Sequence, residues 1–399
     1  MSEPSRIGRL GELACLFFKL GVIGFGGPAA HIAMMEEEVV ERRGWLDLQH
    51  FLDLIGATNL IPGPNSTEMT MHVGYARAGW PGLAVAGFSF IIPAASLTCI
   101  FAWAYVRFGT LPAVEPFLIG IKPAVLAVIL GALWRLGRKA VKSRILAGLG
   151  VGVAALLLFG LGEIAALLLG GLVGMLVLVA IGAGTRSIPP SAPTDEGNSR
   201  IKKAGLITLL QPIAAGAAVS IGGVTLWKLG LFFLKVGAVL YGSGYVLIAF
   251  IEGDLVDHFG WLTQQQLLDA VAVGQLTPGP VLTTATFIGY ILAGVPGAIV
   301  ATLCIFLPSF AFTGLLHPII PRLRKSRWTA AFLDAINVSA VALMAVVTLS
   351  LGRSVLIGWV PWCIFVLAAF LIVRYKVNAI WLVVGGAVVG GLAATMAFI

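Results

Sequence analysis

The sequence predicts an all-α integral membrane protein of about 13 transmembrane helices, arranged as two inverted-topology repeats with broken helices. The first observation behind this fold class is composition, because 59% of the 399 residues are hydrophobic and only 11% are charged. Soluble domains carry about 25% charged residues, so this chain cannot cover a water-facing surface. Lipid offers the backbone no hydrogen bonds, and the apolar stretches do not alternate as barrel strands do, so we expect helices.

The second observation is an internal duplication. Pro62-Gly63-Pro64 recurs as Pro278-Gly279-Pro280, and Gly44-Trp45 recurs as Gly260-Trp261, both at a spacing of 216 residues. After a one-residue deletion the spacing becomes 215, which pairs Pro81-Gly82 with Pro296-Gly297. A register kept through so many motifs indicates that the two halves are copies of one helical repeat.

The duplication divides the chain into four parts. An N-terminal transmembrane repeat covers 1–184, a cytoplasmic linker rich in Pro, Ser, Gly and charge covers 185–203, a reversing transmembrane helix covers 204–222, and a C-terminal repeat covers 223–399. Besides the reversing helix, each repeat supplies six predicted spans: 11–34, 51–75, 83–106, 117–134, 145–160 and 163–182, then 228–250, 267–290, 297–316, 329–349, 355–373 and 378–398. The unpaired span turns the second copy upside down relative to the first.

The basic residues test this topology, because cytoplasmic loops concentrate Lys and Arg. With the N-terminus inside, 18 basic residues fall in the cytoplasm and five outside, namely Arg42, Arg43, Arg107, Lys228 and Arg353. We therefore expect a multi-pass protein of the bacterial inner membrane with a cytoplasmic N-terminus and a periplasmic or external C-terminus. The net charge of +8 follows from this topology, and no nucleic acid partner is expected. Inverted repeats are typical of secondary transporters with a site near the bilayer midplane.

The third observation is that helices break at membrane depth. Prolines on both sides of a glycine cannot continue an α-helix, since each removes a donor and clashes with the preceding turn. We expect Pro28, Pro64 and Pro280 to begin new half-helices. The residues assigned to breaks are Pro28, Pro62, Pro64, Pro278 and Pro280.

Such breaks predict an anion site. Each half-helix start offers free N–H groups and roughly half a positive charge, and irregular backbone in a membrane is tolerated where it lines a polar cavity. The alternative is that the prolines merely kink packed helices. The candidate binding residues at the breaks are Gly26, Gly27, Asn59, Gly63, Asn65, Ser66, Thr67, Gly242, Ser243, Gly244, Gln275, Thr277, Gly279, Thr283 and Thr284.

Three lysines lie in apolar stretches. Lys19 and Lys235 are equivalent in the two copies, and each either steers the ligand or extends its ammonium group to the membrane interface. Lys122 lies deeper in its span, opposite Asn337 of the other copy by register, and is the best candidate for a fixed positive charge. We include all four residues in the candidate binding site.

Four further residues are candidates for ion coupling. Glu68 and His72 stand one helical turn apart after a break, so they form either a proton relay or an incidental hydrogen-bonded pair. The second copy lacks this pair. Asp53 and its duplicate Asp269 either pair with a lysine or cap a helix.

Cofactors and metals are not expected. The four cysteines stand singly in apolar stretches, without metal or redox spacing. The run from Gly24 to Ala29 mimics a dinucleotide fingerprint, but no βαβ unit surrounds it. The small-residue pairs Gly170 with Gly174 and Gly386 with Gly390 favour close helix packing, either within the chain or in a homodimer.

The motifs together resemble those of the chromate ion transporter (CHR) family. The resemblance rests on Phe17-Phe18-Lys19-Leu20-Gly21 running into Gly24-Phe25-Gly26-Gly27-Pro28, on Gly44-Trp45 and Pro62-Gly63-Pro64, and on their counterparts in the second copy. It covers both halves, as in a long-chain, two-domain member. It implies 13 helices in oppositely oriented halves, export of chromate that confers chromate resistance, and sulfate as a competing or exchanged oxyanion.

Other functions remain open at this point. The chain could be a passive channel, or a transporter for another anion such as sulfate. A remote alternative is an intramembrane serine hydrolase with Ser243 as nucleophile and His258 or His317 as base. The expected partners are an oxyanion substrate and the lipid bilayer, and the expected protein is not an enzyme.

Overall fold

The computed structural model describes residues 5–25, 27–109, 115–182, 220–221, 224–242, 244–317, 319, 326–375 and 377–395. The predicted linker and most of the predicted reversing helix lie outside these residues, as do Gly26 and Ser243. The last two residues of the predicted reversing helix are described, and they form strand β1 (Ser220–Ile221), which pairs antiparallel with β2 (Val224–Thr225). At its end, therefore, the helix prediction for 204–222 is wrong.

The described part of the chain is otherwise helical. The first repeat contains α1 (Arg6–Ile23), α2 (Pro28–Glu36), a π-helix (Glu37–Arg42), α3 (Leu48–Thr58), α4 (Asn65–Phe108), α5 (Glu115–Ala140), α6 (Arg144–Leu158) and α7 (Glu163–Ala180). The second repeat contains α8 (Leu226–Val239), a 3-10 turn (Gly244–Val246), α9 (Leu247–Phe250), a π-helix (Ile251–His258), α10 (Gln264–Leu276), a 3-10 turn (Val281–Thr283), α11 (Thr284–Leu316), α12 (Arg327–Val355), α13 (Trp359–Tyr375) and α14 (Ala379–Thr395).

Several of these helices suit a bilayer. Five of the described helices are long and apolar enough to cross it: 65–108, 117–140, 163–180, 281–316 and 327–355. Shorter apolar helices cover 144–158, 359–375 and 379–393. The length and apolar composition of these helices match the continuous hydrophobic runs of the sequence.

The backbone repeats the duplication in detail. Helix α4 is interrupted at Ala78 (φ −145°, ψ 19°) and Gly79 (φ 66°, ψ −151°), and α11 is interrupted at Ala293 (φ −148°, ψ 25°) and Gly294 (φ 61°, ψ −152°). Only glycine readily adopts such a positive φ, so the second residue of each kink is constrained. The two kinks lie 215 residues apart, in the register that follows the deletion.

The deletion itself coincides with a change of helix type. After Pro64 the first copy continues directly as α-helix, whereas after Pro280 the second copy forms a three-residue 3-10 turn before α11. A 3-10 helix rises about 2.0 Å per residue and an α-helix about 1.5 Å. Three residues of 3-10 helix therefore advance the chain about as far as four of α-helix, which accounts for the missing residue.

The breaks reverse the chain instead of interrupting a crossing. Arg77 at the end of the first part of α4 forms an ion pair with Glu12 of α1, with Nη2 and Oε2 3.0 Å apart, and its guanidinium lies 4.9 Å from the ring centre of Trp45. Residues 12, 45 and 77 thus meet at one end of the molecule. It follows that α1 with α2, and α3 with the first part of α4, are two re-entrant hairpins that return to this end.

This corrects the predicted span count. The segments 11–34, 51–75, 228–250 and 267–290 were each predicted to cross the membrane, but each is a hairpin or lies in one. The counterpart contact in the second copy is the ion pair between Lys235 Nζ and Asp254 Oδ2 at 2.6 Å, which matches Lys19 Nζ with Glu38 Oε1 at 2.9 Å. Glycine and proline at the tips end one helix and let the chain turn back.

The two copies run in opposite directions. The long part of α4 packs against the long part of α11, with Trp80 against Gly314 and Phe88 against Phe310 at a ring-centre distance of 4.9 Å. The start of α4's long part thus lies beside the end of α11. Because the parts are equivalent by register, their antiparallel packing relates the copies by an approximate two-fold rotation.

The copies also exchange helices. Gly386 of α14 packs directly on the backbone of Gly120 in α5, while Gly170 and Gly174 of α7 pack against Ser339 and Ala335 of α12. These contacts correspond under the 215 and 216 registers. In each copy the fifth helix is therefore packed by a terminal helix of the other copy, and the small-residue pairs serve contacts within the chain.

Candidate anion site

The tips of the four hairpins meet in reciprocal pairs. The Gly63 N–H donates to the Leu240 carbonyl oxygen at 2.8 Å, and the Gly279 N–H donates to the Gly24 carbonyl oxygen at 2.7 Å. These four residues are equivalent in pairs under the 216 register. Each Pro-Gly-Pro break of one copy is thus hydrogen-bonded to the glycine-rich break of the other copy, and the breaks join the copies.

The half-helices begin at these tips. Pro28 is the first residue of α2, and its N-cap Gly27 has φ 79°. Pro64 and Pro280 precede the first helical residues, Asn65 and Val281, so each lies one residue earlier than predicted. Two half-helix starts of one copy therefore face two of the other, which is the arrangement that the sequence predicts for an anion site.

A cavity of about 130 Å³ lies beside one pair of tips. Four of the predicted binding residues line it: Asn59 and Asn65 from the first copy, and Gly242 and Asn337 from the second. The remaining wall is formed by Thr58, Ile61, Leu136, Lys139, Ala140, Lys142, Val246, Asp334, Ala340 and Val341. The cavity is thus built by both copies and reaches a cluster of charged residues at the ends of α5 and α12.

Polar groups of the cavity wall are ordered by local contacts. Asn65 Nδ2 donates to Asn59 Oδ1 at 2.9 Å, which links the end of α3 to the start of α4 across the break. Gly242 has φ 94°, and Asn337 Oδ1 lies against it. Amide side chains and the first-turn amides of α4 give this wall hydrogen-bond donors suited to an oxyanion.

The cations of the cavity come from residues that the sequence argument did not select. Lys142 forms an ion pair with Asp334, with Nζ and Oδ1 2.6 Å apart. Lys139 lines the cavity and forms no ion pair with any described residue. In sequence Lys139 is one of several basic residues of a predicted cytoplasmic loop, and nothing local distinguishes it from its neighbours.

The three predicted lysines lie elsewhere. Lys19 and Lys235 are paired with Glu38 and Asp254 along their hairpins, and their side chains are about half exposed. Lys122 of α5 is partly buried and lies near enough to Asp269 to interact with it electrostatically. None of the three lines the described cavity, although Lys122 occupies the position equivalent to Asn337.

The threonines of the second Pro-Gly-Pro break use their hydroxyl groups locally. Each donates to a carbonyl oxygen three or four residues earlier: Thr277 to Val273, Thr283 to Pro280 and Thr284 to Val281. In the first copy Ser66 and Thr67 are buried in the first turn of α4. Gly244 begins a 3-10 turn.

The second copy's equivalent of the cavity is closed at Gln275. This residue corresponds to Asn59, is buried, and accepts a hydrogen bond from the Tyr245 hydroxyl at 3.2 Å. Nearby, Asp269 is buried and accepts a hydrogen bond from the Tyr105 hydroxyl at 2.8 Å. Neither Asp269 nor Asp53 caps its helix, because Thr263 and Asp47 do so instead.

The coupling candidates Glu68 and His72 are both fully buried. His72 Nδ1 lies 2.9 Å from His317 Nδ1 at the end of α11, so the structure joins His72 to the other copy. Sequence reasoning considered His317 only as the base of a hydrolase. His317 instead contacts His72 and packs on Tyr75 at a ring-centre distance of 4.4 Å.

Comparison with known proteins gives one family, which matches the chain twice. The family model described as Chromate transporter matches residues 11–175 and again residues 227–391, which begin 216 residues apart. The probable chromate transport protein of Synechococcus elongatus is 33% identical over 347 residues, covering 86% of this chain and 85% of that protein. The chromate transport protein of Cupriavidus metallidurans is 30% identical over 386 residues, covering 96% and 93%.

A third relative carries a broader name. An uncharacterized transporter of Methanocaldococcus jannaschii is 26% identical over 393 residues, covering 94% of this chain and 92% of that protein. No solved structure matches the chain. The similarity therefore extends over nearly the whole chain, including both repeats.

Proposed function

Because the chain belongs to the chromate transporter family, as a multi-pass membrane protein with both repeats in one chain, we propose that it exports a small oxyanion. The proposed substrate is chromate, sulfate is the proposed competing or exchanged anion, and chromate resistance is the expected phenotype. The relatives named as chromate transport proteins favour this substrate class. A family of transporters gives no reason to expect catalysis.

The observation that carries this proposal is the cavity between the opposed tips. An anion there would meet the amides at the start of α4, the side chains of Asn65 and Asn337, and the ammonium group of Lys139. Amides and half-helix starts attract negative charge without requiring proton exchange. This favours an anion over a cation or a neutral solute.

The hairpins refine the proposed topology. Because residues 12, 45 and 77 share one end of the molecule, Arg42 and Arg43 join the basic residues assigned to the cytoplasm. Only Arg107, Lys228 and Arg353 then remain outside among the loop residues, which strengthens the positive-inside bias. With this orientation in the inner membrane, the cavity faces the cytoplasm through Lys139 and Lys142, so it would load from inside.

Energetics favour the outward direction. Each negative charge that leaves a cell with a negative interior gains about 2.3 kcal/mol per 100 mV, so a dianion gains roughly 4–5 kcal/mol at about 100 mV. A secondary transporter can use this gradient directly. A passive channel is the competing function, but the closed second-copy equivalent at Gln275 favours access from one side at a time.

Everted membrane vesicles test the substrate. We expect saturable chromate uptake into vesicles that contain the wild-type protein, driven by a positive interior potential and inhibited by sulfate. Setting the potential and the pH gradient separately distinguishes an electrogenic step from exchange. Uptake no greater than in vesicles without the protein would refute the chromate assignment, and flux that does not saturate would favour a channel.

Lys139 and Lys19 form a matched pair of variants for the site. Lys139→Gln should weaken the apparent affinity for chromate by roughly tenfold, since one partly desolvated charge is worth about 1–2 kcal/mol. Lys19→Gln should change it by less than about twofold, because an exposed ion pair contributes about 0–1 kcal/mol. The measurement is the concentration dependence of initial uptake. Equal effects of the two substitutions would contradict the placement of the anion beside Lys139.

Cysteine labelling tests the opposed hairpins. In a variant whose four native cysteines are replaced, Gly44→Cys should react with a membrane-impermeant maleimide only from the cytoplasmic side, and Gly260→Cys only from the outside. Both turns have positive φ and open surroundings at the glycine. Intact cells and everted vesicles give the two sides. Labelling of both positions from the same side would exclude the inverted arrangement.

A further inference from the structure

A buried carboxyl group lies directly behind the cavity wall. Glu68 belongs to the first turn of α4, and its side chain is 0% exposed. Neither carboxyl oxygen has a hydrogen-bond partner among the described residues. A Cβ atom on Gly63 would collide with Glu68 Oε1 and with Ser309 Oγ, so the carboxyl group lies against the tip and beside the other copy.

Charge on Glu68 opposes an anion at the tip. The first-turn amides of α4 attract negative charge, and a carboxylate in the same turn already offsets that partial positive charge. It would also repel a dianion in the adjoining cavity. The neutral acid leaves the helix start free to attract the anion, so anion binding and protonation of Glu68 favour each other.

Few other groups act on this carboxyl group. Ser309 faces it from α11, and Tyr241 of the second copy's tip lies near enough to interact with it electrostatically. Neither of these neighbours carries a positive charge. Burial without a counter-ion favours the protonated form, because an isolated carboxylate is costly in apolar surroundings.

A chain of histidines connects Glu68 to one face of the molecule. His72 follows Glu68 by one helical turn, and its Nδ1 lies 2.9 Å from Nδ1 of His317. At this distance one ring donates its proton to the other, so tautomer exchange moves a proton across the pair. His317 is partly exposed, packs on Tyr75, and interacts electrostatically with exposed His50 of α3.

The second copy has no equivalent. The residues at the corresponding positions are Thr283 or Thr284 in place of Glu68, and Phe287 or Ile288 in place of His72. Ser309 is likewise replaced by Ala94, whose Cβ lies against Gly279 as Ser309 lies against Gly63. A duplication conserves packing by default, so a polar path in one copy alone indicates a role that one copy performs.

We infer that anion binding in the cavity is linked to protonation of Glu68, with the proton arriving from the His50 face through His317 and His72. This deepens the proposed function and rests on it, because the cavity must hold an anion. The second copy supplies His317 and Ser309, so the proton site is complete only when the two copies are packed together.

Proton uptake on anion binding tests the linkage. Purified protein in a weak buffer with a pH indicator is titrated with sulfate, which stays a dianion near neutral pH. The wild type should take up protons as it binds, and its affinity should fall roughly tenfold or more from about pH 6 to about pH 8. Glu68→Gln should bind without proton uptake and with pH-independent affinity. Proton uptake by Glu68→Gln equal to the wild type would overturn the inference.

Matched variants separate the path from the site. His72→Gln and His317→Gln should leave the amount of proton uptake unchanged but slow it, since they alter delivery and not the acceptor. Glu12→Gln removes a carboxyl group at the same face that is paired with Arg77, and it should match the wild type in amount and rate. Unchanged rates in both histidine variants would exclude this route.

Infrared spectroscopy decides the inference even if the anion assignment fails. If the wild type binds neither sulfate nor chromate, the proposed function is wrong, but Glu68 can still be followed directly. A protonated carboxyl band should be present in the wild type and absent in Glu68→Gln, and its exchange in D₂O should be slower in His72→Gln. Identical spectra of the wild type and Glu68→Gln would refute the proton site.

Discussion

Gly63→Ala is expected to reduce chromate uptake roughly tenfold or more, although the change adds a single methyl group. Gly63 has φ 146°, a conformation that is nearly restricted to glycine, and the strain of another residue there costs about 1–3 kcal/mol. The new Cβ would also collide with Glu68 Oε1 and Ser309 Oγ. The tip must shift, and the Gly63 hydrogen bond to Leu240 shifts with it.

Gly44→Ala is the matched control for this variant. Gly44 also has positive φ, at 58°, but open space surrounds the position of its Cβ. It should lose about 1 kcal/mol of stability and retain uptake within about twofold. Measuring uptake per folded protein, with folding judged by size-exclusion profile, separates the two effects. Wild-type uptake by Gly63→Ala would show that the tip is not part of the transport path.

Gly386→Leu is expected to prevent the two copies from packing. A Cβ at Gly386 would collide with the carbonyl oxygen of Gly120 and approach the Cβ of Ala124 at 2.8 Å. Backbone cannot move aside as a side chain can, so α14 must separate from α5. Overpacking of a close helix contact costs about 1–3 kcal/mol or more. We expect a thermal midpoint several degrees lower, or no monodisperse protein.

The adjacent glycine provides the control. Gly385 is exposed and nothing lies within 4 Å of the position of its Cβ. Gly385→Leu should therefore purify like the wild type and unfold at a similar temperature in detergent. If both leucine variants behaved alike, the helix exchange between the copies would not be needed for stability.

Much of the fold could be predicted from local residue chemistry. Pro62-Gly63-Pro64 and Pro278-Gly279-Pro280 interrupt their helices in the structure because proline removes donors and glycine permits positive φ. The duplication extends to backbone angles, as the kinks at Gly79 and Gly294 show. The membership in a two-repeat transporter family was also correct. These features depend on short stretches of sequence and on their repetition.

The direction of the chain after each break could not be predicted in this way. A break shows that a helix ends, but a hairpin and a crossing have the same local pattern. The contact of Arg77 with Glu12 and Trp45 distinguishes them, and these residues are far apart in sequence. For the same reason the topology assigned Arg42 and Arg43 to the wrong side.

The partners of charged residues were equally inaccessible. Lys19 and Lys235 were candidates for an anion site, and each is paired with a carboxylate of its own hairpin. Lys139 was not a candidate, and it lines the cavity because α5 ends beside the tip of the other copy. His317 reaches His72 only because α4 and α11 pack antiparallel.

The sequence by itself determined that this chain is a duplicated, all-helical membrane protein with helices broken at membrane depth, because composition, register and backbone chemistry are local properties. Only the tertiary structure decided that the breaks are hairpin tips, that the tips bond across the copies, and which side chains meet there. Those outcomes depend on contacts between residues separated by up to 245 positions, as in the pair of His72 and His317. The free energy of such contacts arises from packing and hydrogen bonding that no stretch of sequence contains on its own.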